Sequence, residues 1–177
     1  MLKALLVIVA VLVVCVVAVL AYAATKPDTF TIQRSATIKA PPERVFALLT
    51  DFPAWRQWSP WENLDPDLKR TYSGAPNGKG AVYEWEGNKA GAGRMEILDA
   101  PAPQKVTIKL DFRRPFEAHN TAEFTLQPQG DATAITWAMR GQNIFIGKVM
   151  SIFVDMDKMV GKDFEKGLQN LKAASET

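Results

Sequence analysis

Between Lys69 and Arg140 the chain repeats one pattern six times: a stretch where apolar and polar residues alternate, closed by turn residues. The stretches are Lys69–Tyr72, Ala81–Glu86, Arg94–Leu98, Lys105–Phe112, Glu117–Leu126 and Thr133–Arg140. Their separators hold Asn77-Gly78, Gly87-Asn88, Pro101-Ala102-Pro103, Arg114-Pro115 and Gly130-Asp131, residues that favour tight reversals. A period of two sorts Val106, Ile108, Leu110 and Phe112 onto one side of a strand, with Lys105, Thr107, Lys109 and Asp111 on the other. Tyr83 with Trp85, Met95 with Ile97, and Ile135 with Trp137 and Met139 sort in the same way. Short connections and one apolar face predict an antiparallel meander, buried on one side and wet on the other.

The flanks supply what covers that buried side. Thr29 to Lys39 alternates and predicts a further strand. Pro41-Pro42 suits a helix start, where a fixed φ and a missing N–H cost nothing, and Val45, Leu48 and Leu49 form its apolar face. Phe52-Pro53 ends this helix and opens a second short one carrying Trp55 and Trp58 at i and i+3, which Ser59-Pro60 stops. At the carboxyl end, Val149, Phe153, Met156, Val160, Phe164, Leu168 and Leu171 step by three or four. This stripe predicts one long amphipathic helix from about Lys148 to Lys172. Gly167 lies in the stripe despite a helix penalty of about 1 kcal/mol, which predicts a close approach of the helix backbone to the sheet.

Residues Ala4 to Ala24 carry no charge, with Lys3 before them and Lys26 after. At 1.5 Å per residue they span roughly 30 Å, the thickness of a bilayer hydrocarbon core. Residues 1–26 therefore read as a single-pass transmembrane anchor, with a signal peptide cleaved near Ala21-Tyr22-Ala23 as the alternative. Lys3 and the amino terminus favour the domain on the extracytoplasmic, periplasmic side; after cleavage it would be secreted.

Charge and rare residues exclude several chemistries. A net charge of +2 gives no electrostatic footprint for nucleic acid. The single cysteine, Cys15, lies inside the apolar run, so no intrachain disulfide or catalytic thiol is expected. His119 is the only histidine and reads as a surface strand residue, so no metal site is expected. Gly78-Lys79-Gly80 and Gly87 to Gly93 sit in hairpins with no helix behind them to receive a phosphate, and no cofactor is expected. Glu84 and Glu86 face away from Tyr83 and Trp85, toward water; Asp157 falls beside the apolar stripe, on a solvated flank or at a cavity edge.

One strand, two short helices, six strands and a long amphipathic helix is the order of the helix-grip fold, α+β in class. Several segments resemble its SRPBCC/START-like superfamily, which includes START lipid-binding domains, birch-pollen-type allergens and polyketide cyclase/dehydrase-like proteins. These are Arg34-Ser35 with Ile38 to Phe46, Trp58-Ser59-Pro60-Trp61, Gly80 to Gly87, Gly93 to Ile97, Thr136 to Gly141 and Met159 to Leu168. They are most similar to the polyketide cyclase/dehydrase-like branch and cover about residues 28 to 173 within a domain of 27–177. The resemblance implies a seven-stranded curved sheet wrapped around the last helix, with a cavity between them. It carries no catalytic set onto this sequence.

The expected function is a membrane-tethered domain that binds an apolar small molecule or lipid, held to the bilayer by residues 4–24. Trp58, Tyr83, Trp85, Met95, Phe112, Trp137, Met139, Phe153 and Met156 are the candidate lining residues, because indoles and thioethers offer large, adaptable apolar area. Two alternatives remain: a cyclase/dehydratase-type enzyme, which needs an ionisable group inside the cavity, and an envelope protein-interaction module, which needs an exposed apolar patch.

Overall fold

Seven strands form one antiparallel sheet in the order β1-β7-β6-β5-β4-β3-β2. The computed structural model describes residues 2–177. Its elements are α1 (Leu2–Ala24), β1 (Thr29–Ile38), α2 (Pro42–Thr50), two 3₁₀ turns (Phe52–Gln57 and Pro60–Asn63), β2 (Lys69–Gly74), β3 (Ala81–Glu86), β4 (Ala92–Asp99), β5 (Lys105–Arg114), β6 (Ala118–Gln129), β7 (Ala132–Gln142), α3 (Phe145–Phe153) and α4 (Met156–Glu176). This is the helix-grip arrangement, with each strand at the place its alternation indicated. Trp55 lies within the first 3₁₀ turn, whereas Trp58 closes it, its N–H donating to the Trp55 carbonyl.

The register decides what lies at each end of the sheet. Thr29 pairs with Gln142, Gly141 with Asn120, Phe112 with Ala118, Arg114 with Ala92, and Glu86 with Lys69. The start of β1, the end of β7 and the β3–β4 and β5–β6 hairpins therefore share one rim. Both α1 and the start of α4 lie at that rim, while the end of α4 reaches the opposite one, where Glu176 accepts from the Lys39 backbone N–H at 2.7 Å.

The two halves of the concave face are filled differently. Away from the rim, Ile38, Ile97, Val106, Ile108, Phe124 and Ile135 are fully buried under Val45 and Leu49 of α2 and Leu168 and Leu171 of α4. Trp58 belongs to this packed half. It is 1% exposed, its Nε1 donates to the Leu48 carbonyl at 3.3 Å, and its ring sits edge-on to Phe124 and Trp137.

The carboxyl-terminal helix departs from the expectation of a single rod. It breaks at Val154-Asp155, where the Asp155 carboxylate accepts from the Lys158 backbone N–H at 2.9 Å and caps a new helix. An N-cap of this kind satisfies a helix-start donor that a continuous rod would not leave open. The stripe therefore belongs to two helices facing different surroundings: Phe164, Leu168 and Leu171 are buried, but Phe153 is 72% exposed.

Two glycines let α4 lie close. A Cβ on Gly167 would stand 2.8 Å from Trp137 Cζ3, and one on Gly161 would collide with the Arg34 guanidinium. Arg34, reaching from β1, donates to Asp157 at 3.0 and 3.1 Å and to Glu165 at 2.8 Å. Asp157 is thus a half-solvated flank residue tied to the sheet, at neither a cavity edge nor a free surface.

Candidate functional site

Where the packed half ends, the sheet and α4 separate and leave a cavity of about 320 Å³. That is at the small end of the roughly 300–1,000 Å³ typical of ligand sites. Its floor is the concave face of five strands: Tyr83 and Trp85 from β3, Met95 from β4, Leu110 and Phe112 from β5, Ala122 from β6, and Trp137 and Met139 from β7. Ala122 is what opens the space. It occupies the inward position that Phe124 and Leu126 fill further along β6. Val160 and Phe164 of α4 form part of the roof, and Trp61, Leu64 and Leu68 close one side. Phe164 stacks on Trp137 with ring centres 4.1 Å apart and planes within 4°, and Trp61 stands edge-on to both. This stack forms one wall of the cavity.

One buried charge borders the cavity. Glu62, 4% exposed, accepts from Tyr83 Oη at 2.6 Å and Arg70 Nε at 2.6 Å, while Arg70 Nη2 donates to the Glu62 carbonyl at 2.5 Å. Burial, then the hydrogen bond to Glu62, pushes the Tyr83 hydroxyl far above the ordinary tyrosine value. The Glu62 hydrogen bond likewise strengthens the hold of Arg70 on its proton. The carboxylate is paired and bonded on both oxygens, as a buried charge must be to persist. The indole Nε1 of Trp137, by contrast, is buried and has no hydrogen-bond partner.

Asp65 fastens that closing side. Its carboxylate accepts from the Lys89 backbone N–H at 2.8 Å and the Asp67 N–H at 3.1 Å, joining the Leu64–Leu68 side to the β3–β4 hairpin. A Cβ at Gly87 would stand 2.5 Å from Asp65 Oδ2, so the hairpin needs glycine there to come this near.

Of the candidate lining residues, Tyr83, Trp85, Met95, Phe112, Trp137 and Met139 border the cavity. Trp58 does not, because it lies behind Trp137 in the packed core. Phe153 and Met156 do not either: the break before α4 turns them outward, leaving them 72% and 38% exposed. Reasoning from sequence missed Glu62, Leu110, Ala122 and Phe164. Leu110 stood in plain sight on the Val106–Phe112 face, whereas nothing local distinguishes Ala122 or Glu62.

Lys89 and Asp163 also border the cavity, whereas Glu84, Glu86 and His119 are not among its lining residues. Glu84 pairs with Arg113 at 2.7 Å and Glu86 with Arg114 at 3.1 Å. His119 is exposed, with Nδ1 2.7 Å from Asp111. Among the described residues no His, Cys, Asp and Glu side chains gather into a group able to hold a metal.

The fold is shared with solved structures at low sequence identity. Protein CV1439 from Chromobacterium violaceum matches with a TM-score of 0.60 at 18% identity, over 86% of this chain and 99% of that one. The Aha1 dimer from Colwellia psychrerythraea matches with a TM-score of 0.60 at 17% identity, over 83% and 96%. Ginseng major latex-like protein 151 from Panax ginseng matches with a TM-score of 0.60 at 13% identity, over 85% and 100%. No curated protein matches the chain in sequence. At the level of family, residues 29–176 match the profile of polyketide cyclase / dehydrase and lipid transport proteins. The match runs from the first residue of β1 to the last of α4 and takes in every wall of the cavity, so the chain is a member of the polyketide cyclase / dehydrase and lipid transport family.

Proposed function

We propose that this protein binds an apolar small molecule or lipid in the cavity between sheet and α4, while α1 holds the domain to a membrane. The observation that carries the reading is the cavity itself: about 320 Å³, floored by aromatic, thioether and aliphatic side chains from five strands. Burying a guest's apolar surface there contributes about 25 cal/mol per Å² before the costs of association. In α1, 23 residues span about 34 Å, enough to cross a bilayer.

The test is titration of the full chain in detergent with 1-N-phenylnaphthylamine, an apolar dye that brightens out of water. Saturable binding to the parent and a loss of at least tenfold in affinity for Ala122→Phe, which fills the floor, are expected. Equal affinity in both, or no saturable binding, would overturn the reading.

A cyclase/dehydratase-type reaction is the second reading, and the Tyr83–Glu62 pair at the cavity wall favours it. A general base works best with a pKa near the working pH, and Tyr83 is pushed the opposite way, so its proton stays as a hydrogen-bond donor. Turnover of a polyketide-like substrate that is abolished in Tyr83→Phe, with dye binding intact, would make this the better account.

A further inference from the structure

The rim that carries the cavity also carries an unpartnered apolar surface. On α3, Ile146, Met150 and Phe153 fall at i, i+4 and i+7 and share one face; they are 54%, 43% and 72% exposed, and Phe145 beside them is 50% exposed. Met159 on the second turn of α4 is 52% exposed, and Phe116, at the tip of the β5–β6 hairpin on the same rim, is 65% exposed. Large side chains gathered this way on one side of a domain mark a contact surface.

The position of α1 identifies the contact. Along α1 only Ala23 is buried, so the helix projects away from the domain and touches it only near its end, where it packs against α3. Three hydrogen bonds fasten the connection. The Asn143 backbone N–H donates to the Asp28 carbonyl at 2.7 Å, Asn143 Nδ2 to the Pro27 carbonyl at 3.2 Å, and Lys148 Nζ to the Asp28 carboxylate at 2.6 Å. Lys148 is itself buried, so its charge points back to this junction and not outward. If α1 crosses a bilayer, its last turn lies at the boundary between hydrocarbon and headgroups. A helix fastened to that turn lies at the same depth, with its apolar face toward the lipid, as interfacial helices do.

The cavity lies in the same half of the domain. Phe112, Trp85, Lys89 and Ala90, all bordering it, belong to the β3–β4 and β5–β6 ends of the sheet that the register places at this rim. The opposite half holds the fully buried core of Ile38, Ile97, Val106, Ile108 and Ile135.

We infer that α3 and the β5–β6 tip seat the domain on the bilayer surface, so that the cavity opens toward lipid and takes its guest from the membrane. This rests on the reading of α1 as an anchor and extends it from a tether to a fixed orientation. The rim carries charges of both signs, with Lys89, Arg114 and Lys158 on one side of the balance and Glu86, Glu117 and Asp155 on the other. Attachment is therefore apolar, and phosphatidylcholine suffices as the lipid.

The experiment uses the full chain in phosphatidylcholine vesicles, labelled with an environment-sensitive NBD dye on single cysteines, and a nitroxide carried on the lipid as quencher. The parent is labelled at Cys15, its only cysteine; Ile146→Cys, Phe153→Cys and Phe116→Cys are made in a Cys15→Ala background. Lys79→Cys is the control, because Lys79 sits in the β2–β3 turn at the far end of the sheet. The expected result is blue-shifted emission and loss of most of it to the quencher at 146, 153 and 116, with the Lys79→Cys label unaffected. Quenching at Cys15 with labels at 146 and 153 behaving like the one at 79 would overturn the seated orientation and leave the anchor standing. An unquenched Cys15 would overturn both. Blue-shifted labels that escape the lipid quencher and revert on dilution would assign the surface to a second copy of the chain, which also overturns the inference.

Discussion

Glu62 is the one buried carboxylate at the cavity wall, and its replacement by glutamine has a size that follows from its contacts. The side chain accepts from Arg70 and Tyr83, each at 2.6 Å, and is 4% exposed. An amide keeps the shape but removes the charge, and it must turn its NH₂ toward one of two donors. Arg70 is left partly buried, its side chain 19% exposed, without a counter-charge. Breaking a buried pair from one side costs about 3–5 kcal/mol, and the residual exposure of Arg70 puts this pair at the lower end, about 3 kcal/mol. For a domain of this size each kcal/mol moves Tm by about 2–4 °C, so Glu62→Gln is expected to lower it by about 6–12 °C. Tryptophan fluorescence during heating of the detergent-solubilised full chain reads this directly. Replacing both partners with apolar residues, Glu62→Leu with Arg70→Met, is expected to cost less than the two single changes summed, because no charge is left stranded. A shift below about 2 °C for Glu62→Gln, the scale of a surface ion pair, would refute the reasoning, as would strict additivity in the double variant.

Three further outcomes are expected. Gly167→Ala gains about 1 kcal/mol of helix propensity but drives a methyl to 2.8 Å from Trp137, which the 4.1 Å stack on Phe164 prevents from retreating. Overpacking of about 1–3 kcal/mol then outweighs the gain, and thermal unfolding should show a net loss where a surface glycine in a helix would show a gain. Asp65 titrates below its ordinary 3.8, held down first by the Lys89 backbone N–H and then by that of Asp67, against burial. A depressed carboxylate stabilises the fold above its unfolded pKa and loses that contribution as pH falls through the folded value. The drop in Tm below about pH 4 should therefore be smaller in Asp65→Asn than in the parent, in scans across pH. Tyr83→Phe deletes one donor to Glu62 while Arg70 stays, so a modest loss of about 1–2 kcal/mol is expected by the same heating assay.

How much of this was legible in the sequence depended on whether the cause was local. The strands were, because alternation such as Val106-Ile108-Leu110-Phe112 is the direct imprint of a sheet with one wet face. So was the close approach at Gly167, since a glycine inside an apolar stripe needs a packing reason. The break between α3 and α4 was not. Val149, Phe153, Met156 and Val160 keep a step of three or four through it, and periodicity is blind to which neighbour a face meets. Asp155, an N-cap residue type followed by an acid in the first turn, Asp157, carried the cap signal that would have split the helix. Trp58 was placed at the cavity because an indole there looks no different from Trp55 or Trp61; its hydrogen bond to Leu48, ten residues earlier in sequence, is tertiary. Glu62 depends on partners 8 and 21 residues away, and Ala122 matters through the volume it leaves empty. Neither property is written in a local pattern.

The most direct test of the account is native mass spectrometry of the full chain extracted from membranes in mild detergent. The account expects the mass of all 177 residues plus a small apolar adduct that survives gentle activation and is absent from Ala122→Phe. A bare protein that takes up no guest when lipid is added, or an adduct retained unchanged in Ala122→Phe, would contradict it.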